Sequence, residues 1–213
     1  MSGEKHCPLC ECHDVARYHE DARRDYLRCC NCALVFVPPA FYLDRRAEQA
    51  EYDLHQNSIN DAGYRQFLSR LATPLLQRLP DAARGLDFGC GNAPALADML
   101  RQAGCHVALY DTFYAPEESV LDARYDFICA TEVVEHLHQP GRELQRLWSM
   151  LEPEGWMGVM TKLVKSHDAF VSWHYKRDPT HVCFFSEDTW VWWAQEFGVR
   201  LERLGADVIM LQR

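Results

Sequence analysis

The chain has 213 residues, a length that accommodates one α/β domain with a small appendage and leaves no room for two large domains. Hydrophobic residues make up 48% and charged residues 25% of the sequence, a balance that excludes the disordered, collagen-like and coiled-coil classes. The formal net charge of −9 gives no general attraction for phosphate backbones, so we expect a small-molecule partner and no long nucleic acid.

The sequence shows no features that direct a chain to or across a membrane. No window approaches the ~20 consecutive apolar residues of a membrane span. The start, MSGEKHCPLC, is polar and has no apolar signal-peptide core. We therefore expect a cytoplasmic protein with no membrane partner. The sequence does not indicate an oligomeric state.

Six of the ten cysteines crowd into the first 32 residues. Cys7 and Cys10 form one C-x2-C pair, and Cys29 and Cys32 form a second pair. In a reducing compartment such crowding indicates a metal rather than disulfides, and two knuckles folded onto one ion predict a closed, structural zinc site. We therefore assign residues 1–40 to a zinc ribbon. Nearby side chains that could substitute as ligands are Cys12, Cys30, His6 and His13.

An apolar strand at residues 34–37 is stopped by two prolines, and a helical segment follows. After Asp61, a candidate helix cap, apolar residues recur with the 3.6-residue period of a helix. The run EYDLHQN at 51–57 has the polar and aromatic side chains to cover a cofactor, but a packing helix with one solvated face fits the pattern as well. We assign residues 41–81 to a helical cap and linker.

A strand, a glycine loop and a helix are predicted from RGLDFGCGNAP, which begins at residue 84. Gly89 and Gly91 follow the strand, and the next strand ends in Asp111, twenty residues after Gly91. A carboxylate there can accept hydrogen bonds from both ribose hydroxyls of an adenosine. Pro94 stands where a dinucleotide site has its third glycine, which disfavours a nicotinamide cofactor.

The pattern D-x-G-x-G-x-A that starts at Asp87 resembles motif I of class I S-adenosylmethionine (SAM)-dependent methyltransferases. The resemblance covers residues 82–213. The run YDFICATEVVEH looks like the family's fourth strand and the helix after it, and the helix capped by Ser186 and the final hairpin look like its C-terminal end. It implies an α/β fold with a Rossmann-like sheet and a SAM site formed by Asp87, Gly89, Gly91 and Asp111.

The predicted sheet is shorter than the family's usual one. Only 13 residues separate Asp111 from Tyr125, which is too few for a helix, a strand and a second helix. The sheet is therefore expected to be abbreviated between its second and fourth strands, where the family's adenine contacts usually arise.

An acidic, histidine-bearing cluster follows the predicted fourth strand, at the sheet edge where open α/β folds bind ligands. If a helix starts there, Glu132, Glu135 and His136 share one face. Two carboxylates and an imidazole that converge in this way favour a bound cation, and oxygen plus nitrogen ligands suit Mg²⁺, Mn²⁺, Fe²⁺ or Zn²⁺.

The EVVEH run is similar to the metal motif of two O-methyltransferase groups, the ubiquinone-biosynthesis enzymes and the terminal 2′-O-methyltransferases of small RNAs. The latter add a distant histidine after the fifth strand, a place that His181 occupies here. The resemblance implies a divalent metal held by Glu132, Glu135, His136 and His181, which activates the acceptor oxygen for attack on the sulfonium methyl. Two alternatives stay open: metal-free catalysis by His136 or Glu132 with His136 as general base, or purely structural roles.

The connection over residues 162–185 is long and carries aromatic residues among cations. Such a loop predicts a lid over a planar or anionic substrate, with core packing as the alternative for Phe170 and Trp173.

These features predict a SAM-dependent methyltransferase that acts on a hydroxyl of a small molecule, with a divalent metal as one of the two catalytic options. C-methylation of a sugar is a second option, although the sugar enzymes with a cysteine-rich module are much longer. Terminal 2′-O-methylation of RNA needs a basic groove that the composition does not show. A non-catalytic SAM-binding, zinc-dependent interaction protein is the alternative outside enzymology.

Overall fold

The computed structural model describes residues 6–54 and 58–213. Its first elements are strands β1 (Val15–Glu20), β2 (Asp25–Cys29) and β3 (Val35–Phe36), helices α1 (Arg45–Tyr52) and α2 (Ala62–Leu76), strand β4 (Arg84–Phe88), helix α3 (Ala95–Gln102) and strand β5 (His106–Tyr110). They are followed by strand β6 (Tyr125–Thr131), helix α4 (Pro140–Ser149), strand β7 (Leu151–Met160), helix α5 (His167–Val171), strand β8 (Cys183–Phe184), helix α6 (Glu187–Phe197) and strands β9 (Arg200–Leu204) and β10 (Val208–Gln212).

The larger of two sheets has six strands in the order β5-β4-β6-β7-β10-β9. The first four are parallel, and the C-terminal hairpin of β9 and β10 adds to β7 in antiparallel fashion. Between β5 and β6 the fully described residues 112–124 form a 3-10 turn, Glu118–Asp122, and no strand of this sheet. The predicted abbreviation is confirmed, because so short a connection cannot supply the missing strand and its helices.

Helix α2 packs directly on the larger sheet. Asp61 caps the helix by accepting a hydrogen bond from the Tyr64 amide at 2.6 Å, as the sequence predicts. Leu71 of α2 is fully buried, and it lies so close to Gly158 of β7 that a Cβ on this glycine would be 2.7 Å from Leu71 Cδ1. The helix predicted after Asp61 is thus α2, which packs on the sheet. None of the helices in residues 6–54 and 58–213 has the length and hydropathy that a membrane crossing requires.

The smaller sheet joins the N-terminal module to the rest of the chain. Its order is β1-β2-β3-β8, so its last strand comes from residues more than a hundred positions downstream. Val35 pairs with Phe184, and the Val37 amide donates to the Val182 carbonyl at 2.9 Å. The segments predicted as separate ribbon and catalytic units thus share one sheet and one hydrophobic core.

The connection from residue 162 to residue 185 is folded rather than open. It contains α5, the 3-10 turn His174–Arg177 and β8. Phe170 is buried, and its ring packs edge-on against Tyr26 of the ribbon and Phe184, with ring centroids 5.1 and 5.4 Å apart. Core packing is therefore the role of Phe170, and the lid stays a prediction for the rest of the connection.

Candidate active site and cysteine cluster

A cavity of about 1000 Å³ opens at the carboxyl ends of the parallel strands, where open α/β sheets bind ligands. Its walls come from the loops after β4, β5 and β6, from α1 and from residues 178–181. The residues predicted for the cofactor and metal sites that line it are Asp87, Gly89, Gly91, Asp111, Glu132, His136 and His181.

The glycine loop takes a backbone path that side chains resist. Gly89 and Gly91 have positive φ angles of 72° and 64°. A Cβ on Gly89 would also lie 2.4 Å from Val133 Cγ2. The loop can therefore turn sharply beside the chain after β6 only because glycine stands there.

Asp111 fastens the loops after β4 and β5 to each other. Its Oδ2 accepts a hydrogen bond from the Gly91 amide at 3.0 Å, and its Oδ1 accepts from the amides of Phe113 and Tyr114 at 2.8 and 3.0 Å. The sequence assigned this carboxylate to ribose hydroxyls alone. A carboxylate has roughly four lone-pair sites, so three backbone donors leave room for a ligand hydroxyl.

Asp87 lies at the floor of the cavity with only 2% of its surface exposed. Burial raises the pKa of its carboxyl to about 7, and the Ala97 backbone amide partly opposes this shift. Within the described part of the chain Asp87 Oδ1 has no hydrogen-bond partner. A cationic ligand group in the cavity is the natural partner of such an oxygen.

Helix α1 covers one side of the cavity. The Tyr52 ring packs against Phe113 and His136, with centroids 5.6 and 5.2 Å apart. Arg45 Nη2 donates to the Thr112 carbonyl at 3.1 Å, and its guanidinium lies over the Phe113 ring. Tyr52 is thus the member of the 51–57 run that reaches the cavity, whereas residues 55–57 lie outside the described residues.

Three of the four predicted metal ligands converge. One ligand atom from each of Glu135, His136 and His181 lies within 4.8 Å of the other two. Glu132 is not part of this group, which corrects the expectation of a shared helical face. Its φ of +53° turns the chain directly after β6, and a 3-10 turn, Val134–His136, stands where a helix was expected. The helical spacing rule therefore does not apply.

The His181 ring is held in one tautomer. Its Nδ1 lies 2.7 Å from the Tyr175 carbonyl oxygen, which can only accept, so Nδ1 carries the proton and Nε2 keeps its lone pair. Burial lowers the pKa of His181 to about 4, although Asp178 opposes the shift. The ring is therefore neutral at pH 7. The His136 ring lies beside it with centroids 4.6 Å apart.

Glu135 is completely buried next to His181. Tyr175 Oη donates to its Oε1, and within the described residues its Oε2 has no hydrogen-bond partner. Burial raises the pKa of Glu135, and the neighbouring Glu132 carboxylate raises it further. Sequence reasoning missed Tyr175, because the only signal was one aromatic residue in a loop 40 positions away.

The four predicted cysteine sulfurs form one cluster at the ribbon. The Cys7 and Cys32 sulfurs lie 3.4 Å apart, as do those of Cys10 and Cys29. All four sulfurs lie within 4.8 Å of one another, and the possible substitutes Cys12, Cys30, His6 and His13 are outside the group.

The two knuckles of the ribbon share one backbone geometry. Glu11 and Ala33, each directly after the second cysteine of a pair, have φ angles of 58° and 59°. Their amides donate to the carbonyls of Cys7 and Cys29 at 2.9 and 3.1 Å. The C-x2-C spacing thus encodes the same turn twice.

Comparisons with known proteins agree with this fold. A family model described as "Methyltransferase domain" matches residues 58–204, which is more than half of the chain. No curated protein matches the sequence. The fold is similar to that of a Burkholderia thailandensis 1,6-didemethyltoxoflavin-N1-methyltransferase solved with that compound and S-adenosylhomocysteine (SAH), at 18% identity and a TM-score of 0.58, over 93% of this chain and 99% of that one.

Two further solved methyltransferases share the fold. Human N-acetylserotonin methyltransferase in complex with SAM has 16% identity and a TM-score of 0.53, over 79% of this chain and 57% of that one. The mitomycin 7-O-methyltransferase MmcR has 14% identity and a TM-score of 0.50, over 78% of this chain and 66% of that one. The chain belongs to the methyltransferase-domain family: it is a SAM-dependent methyltransferase with a class I, Rossmann-like α/β fold and an added N-terminal cysteine module.

Proposed function

We propose that this enzyme methylates a hydroxyl of a small molecule and that Glu135, His136 and His181 bind a divalent metal beside the acceptor. The observation that carries the proposal is the pairing of a neutral His181, whose Nε2 lone pair is free of a proton, with the buried Glu135 oxygen that has no partner in the described residues. A histidine that donates its other ring N–H to a backbone carbonyl is oriented as metal ligands usually are.

The donor set fits a hard or borderline divalent ion. One carboxylate oxygen and two imidazole nitrogens suit Mn²⁺, Fe²⁺ or Zn²⁺ and, less strongly, Mg²⁺. Donors around an ion at 2.0–2.2 Å lie about 3 to 4 Å apart, and the three donor atoms of this group lie within 4.8 Å of one another. When bound, such an ion lowers the pKa of an acceptor hydroxyl so that its oxygen becomes nucleophilic at neutral pH.

For the cofactor we propose SAM at Asp87, Gly89, Gly91 and Asp111. The positive-φ glycines let the backbone approach a ligand closely, and Asp111 accepts ribose hydroxyls with its remaining lone pair. Asp87 Oδ1, which has no hydrogen-bond partner in the described residues, accepts from the cationic amino group of the methionine part in this proposal. The binding energy of the loop and of the two acids holds the cofactor while the acceptor approaches from the other side of the cavity.

We propose a small molecule as the methyl acceptor, bound in the half of the cavity that Glu132, His136 and His181 line, which we call the acceptor half. The names of the two similar small-molecule enzymes include N- and O-methylation, and the carboxylate and imidazole cluster favours oxygen in this chain. The net charge of −9 opposes RNA as the acceptor.

A metal-free base is the second candidate mechanism, and a specific observation favours Glu132 for it. This carboxylate lines the cavity, its Oε1 has no hydrogen-bond partner in the described residues, and burial raises its pKa. A carboxylate with a raised pKa suits proton removal near neutral pH. His136, which also lines the cavity, is the alternative base.

We also propose one structural zinc at Cys7, Cys10, Cys29 and Cys32. Zinc–sulfur bonds of about 2.3 Å in a tetrahedron require sulfur separations of about 3.8 Å, close to the 3.4 Å of the two nearest pairs. A closed site of four thiolates leaves no position for a substrate, so its role is structural. Because such thiolates persist in a reducing compartment, we place the enzyme in the cytoplasm.

Titration of Mn²⁺ into zinc-retaining, chelator-treated protein with SAH tests the metal against the base. We expect one Mn²⁺ site that His181→Ala abolishes and Glu132→Gln preserves. If the wild type binds SAH but no Mn²⁺, the metal proposal fails and Glu132 or His136 is the base. A panel of hydroxylated and aminated small molecules with labelled SAM then identifies the acceptor atom, and exclusive N-methylation contradicts the proposed hydroxyl.

A further inference from the structure

An arginine of the ribbon binds the backbone of the loop that carries His181. Arg24 is only 7% exposed. Its Nη2 donates to the carbonyls of Lys176 and Asp178 at 2.6 and 2.8 Å, and its Nη1 donates to the Pro179 carbonyl at 3.1 Å. Three carbonyls of an irregular segment are thus satisfied by one planar guanidinium, a geometry that lysine cannot reproduce.

A buried ion pair also joins the loop to the ribbon, and here the cation belongs to the loop. The Lys176 ammonium, from the loop, is 6% exposed and lies 2.7 Å from Asp21 Oδ2 of the ribbon. It also lies over the Tyr26 ring, 5.3 Å from its centroid. Asp21 Oδ1 accepts from the Arg24 backbone amide at 3.2 Å, so one aspartate contacts both the Lys176 ammonium and the Arg24 backbone.

The same loop faces the active site with its other side. Tyr175 donates its hydroxyl to Glu135 and offers its carbonyl to His181 Nδ1. The Val182 amide donates to the Glu135 carbonyl at 2.8 Å. The three carbonyls that Arg24 binds therefore lie between Tyr175 and His181 along the chain.

We propose that Arg24, supported by Asp21, is a positioning residue that sets His181 and Tyr175 against Glu135. The ribbon then completes the acceptor half of the active site, in addition to stabilising the fold. The SAM half is built by the loops after β4 and β5 and by Asp111, so it does not depend on this contact.

The test compares Arg24→Met with a control on the same ribbon, Arg17→Met, whose side chain is exposed and paired with Glu20. Mn²⁺ and SAH affinities are measured by calorimetry, and zinc content by elemental analysis. The Mn²⁺ readout rests on the proposed metal site. We expect Arg24→Met to weaken Mn²⁺ binding roughly 10- to 100-fold, the range for loss of a group that orients a metal ligand. SAH affinity and zinc content are expected to match those of Arg17→Met.

A conservative variant separates positioning from general support. Arg24→Lys keeps the charge and the stem but not the fork, so it is expected to restore only part of the Mn²⁺ affinity. The inference is overturned if folded Arg24→Met binds Mn²⁺ as tightly as the wild type. It is also overturned if Mn²⁺ and SAH affinities fall together, since that outcome indicates a loss of structure throughout the site.

A second measurement keeps the inference testable if the wild type binds no Mn²⁺, which would refute the metal proposal alone. Hydrogen–deuterium exchange is compared between the segment 175–182 and the glycine loop 87–91 in the SAH-bound enzyme. Arg24→Met is expected to speed exchange in the first segment and leave the second unchanged. The proposal is contradicted if the segment 175–182 exchanges at the same rate in Arg24→Met as in the wild type.

Discussion

The two halves of the cavity are built in different ways. The SAM half uses one strand–loop–helix unit and Asp111, which lies twenty residues further on, and its hydrogen bonds join neighbouring loops. The acceptor half joins three distant segments: the turn after β6, the loop at 175–181 and the ribbon. A contiguous motif can be altered one residue at a time, whereas an assembled site depends on contacts far from the chemistry. The two halves should therefore respond differently to the same kind of damage.

Loss of the proposed ribbon zinc is expected to have the largest effect on stability. Because the ribbon contacts the loop at 175–181, we expect the acceptor half of the cavity to lose its structure first. Cys7→Ser removes one clustered thiolate, and we expect it to cost about 3 to 5 kcal/mol of unfolding free energy and about 10 °C of melting temperature. Cys30→Ser, at an exposed cysteine outside the cluster, is the control. Calorimetric melting and elemental analysis check both variants. Cys7→Ser protein that keeps its zinc and its melting temperature contradicts the assignment.

A reciprocal pair of variants sharpens the comparison. Asp111→Ala removes an acceptor for three loop amides and is expected to weaken SAH binding by about 3 kcal/mol, roughly 100-fold, without changing Mn²⁺ affinity. His181→Ala is expected to do the reverse, because its ring contacts lie in the acceptor half. Calorimetry with both ligands measures the two effects. The two halves of the cavity are not independent if either variant lowers the affinities for SAH and Mn²⁺ equally.

A methyl group on the glycine loop tests whether the backbone conformation of this loop determines SAH affinity. Gly89→Ala forces a side chain into the left-handed region and against Val133, so SAH binding is expected to weaken about 10-fold. Gly205→Ala has a similar φ of +64° but open space around its Cβ, so it is expected to cost about 1 kcal/mol of stability and no SAH affinity. Unchanged SAH binding by Gly89→Ala would falsify the role of this loop.

One substitution on the floor of the cavity is expected to change stability and SAH binding in opposite directions. The folded pKa of Asp87, about 7, lies above its unfolded value of about 3.9, so the folded state binds more protons and stability falls as pH rises from about 4 to about 7. Asp87→Asn removes the cost of ionising this buried carboxyl. It is expected to raise the unfolding free energy at pH 8 by about 2 kcal/mol and to weaken SAH binding. Asp81→Asn, at an exposed site, is the control. Denaturant unfolding at pH 5 and pH 8 checks the sign, and a stabilisation that is equal at both values contradicts it.

Several features of the protein were readable from the sequence because they depend on neighbouring residues. Each C-x2-C spacing predicts its own knuckle, and both turns have the same geometry in the structure. Ser186 forms a capping box with Thr189, and Gly198 ends the same helix in the left-handed conformation. The missing strand follows from counting residues between Asp111 and Tyr125.

Helical spacing failed as a guide to the acidic cluster for an equally local reason. The sequence places Glu132 three residues before Glu135, which is a shared face only if the backbone is helical. The chain instead leaves β6 with Glu132 in the left-handed region, a conformation that its pairing and surroundings impose. The folded chain brings the distant His181 next to Glu135 and His136, whereas Glu132, which is near them in sequence, lies outside the group.

The amino-acid sequence by itself determined the α/β class, the glycine loop with its acidic partner and the ribbon cysteines, because short-range spacing and backbone conformation encode each of them. Only the tertiary structure decided that β8 belongs to the ribbon sheet, that Tyr175 contacts Glu135 and that Arg24 binds the backbone of the loop before His181. The hydrogen bond from Arg24 to the Lys176 carbonyl spans 152 positions, and its acceptor is a backbone oxygen that every residue carries. No residue pattern can mark such a contact, since it is created by the packing of two segments on a common core.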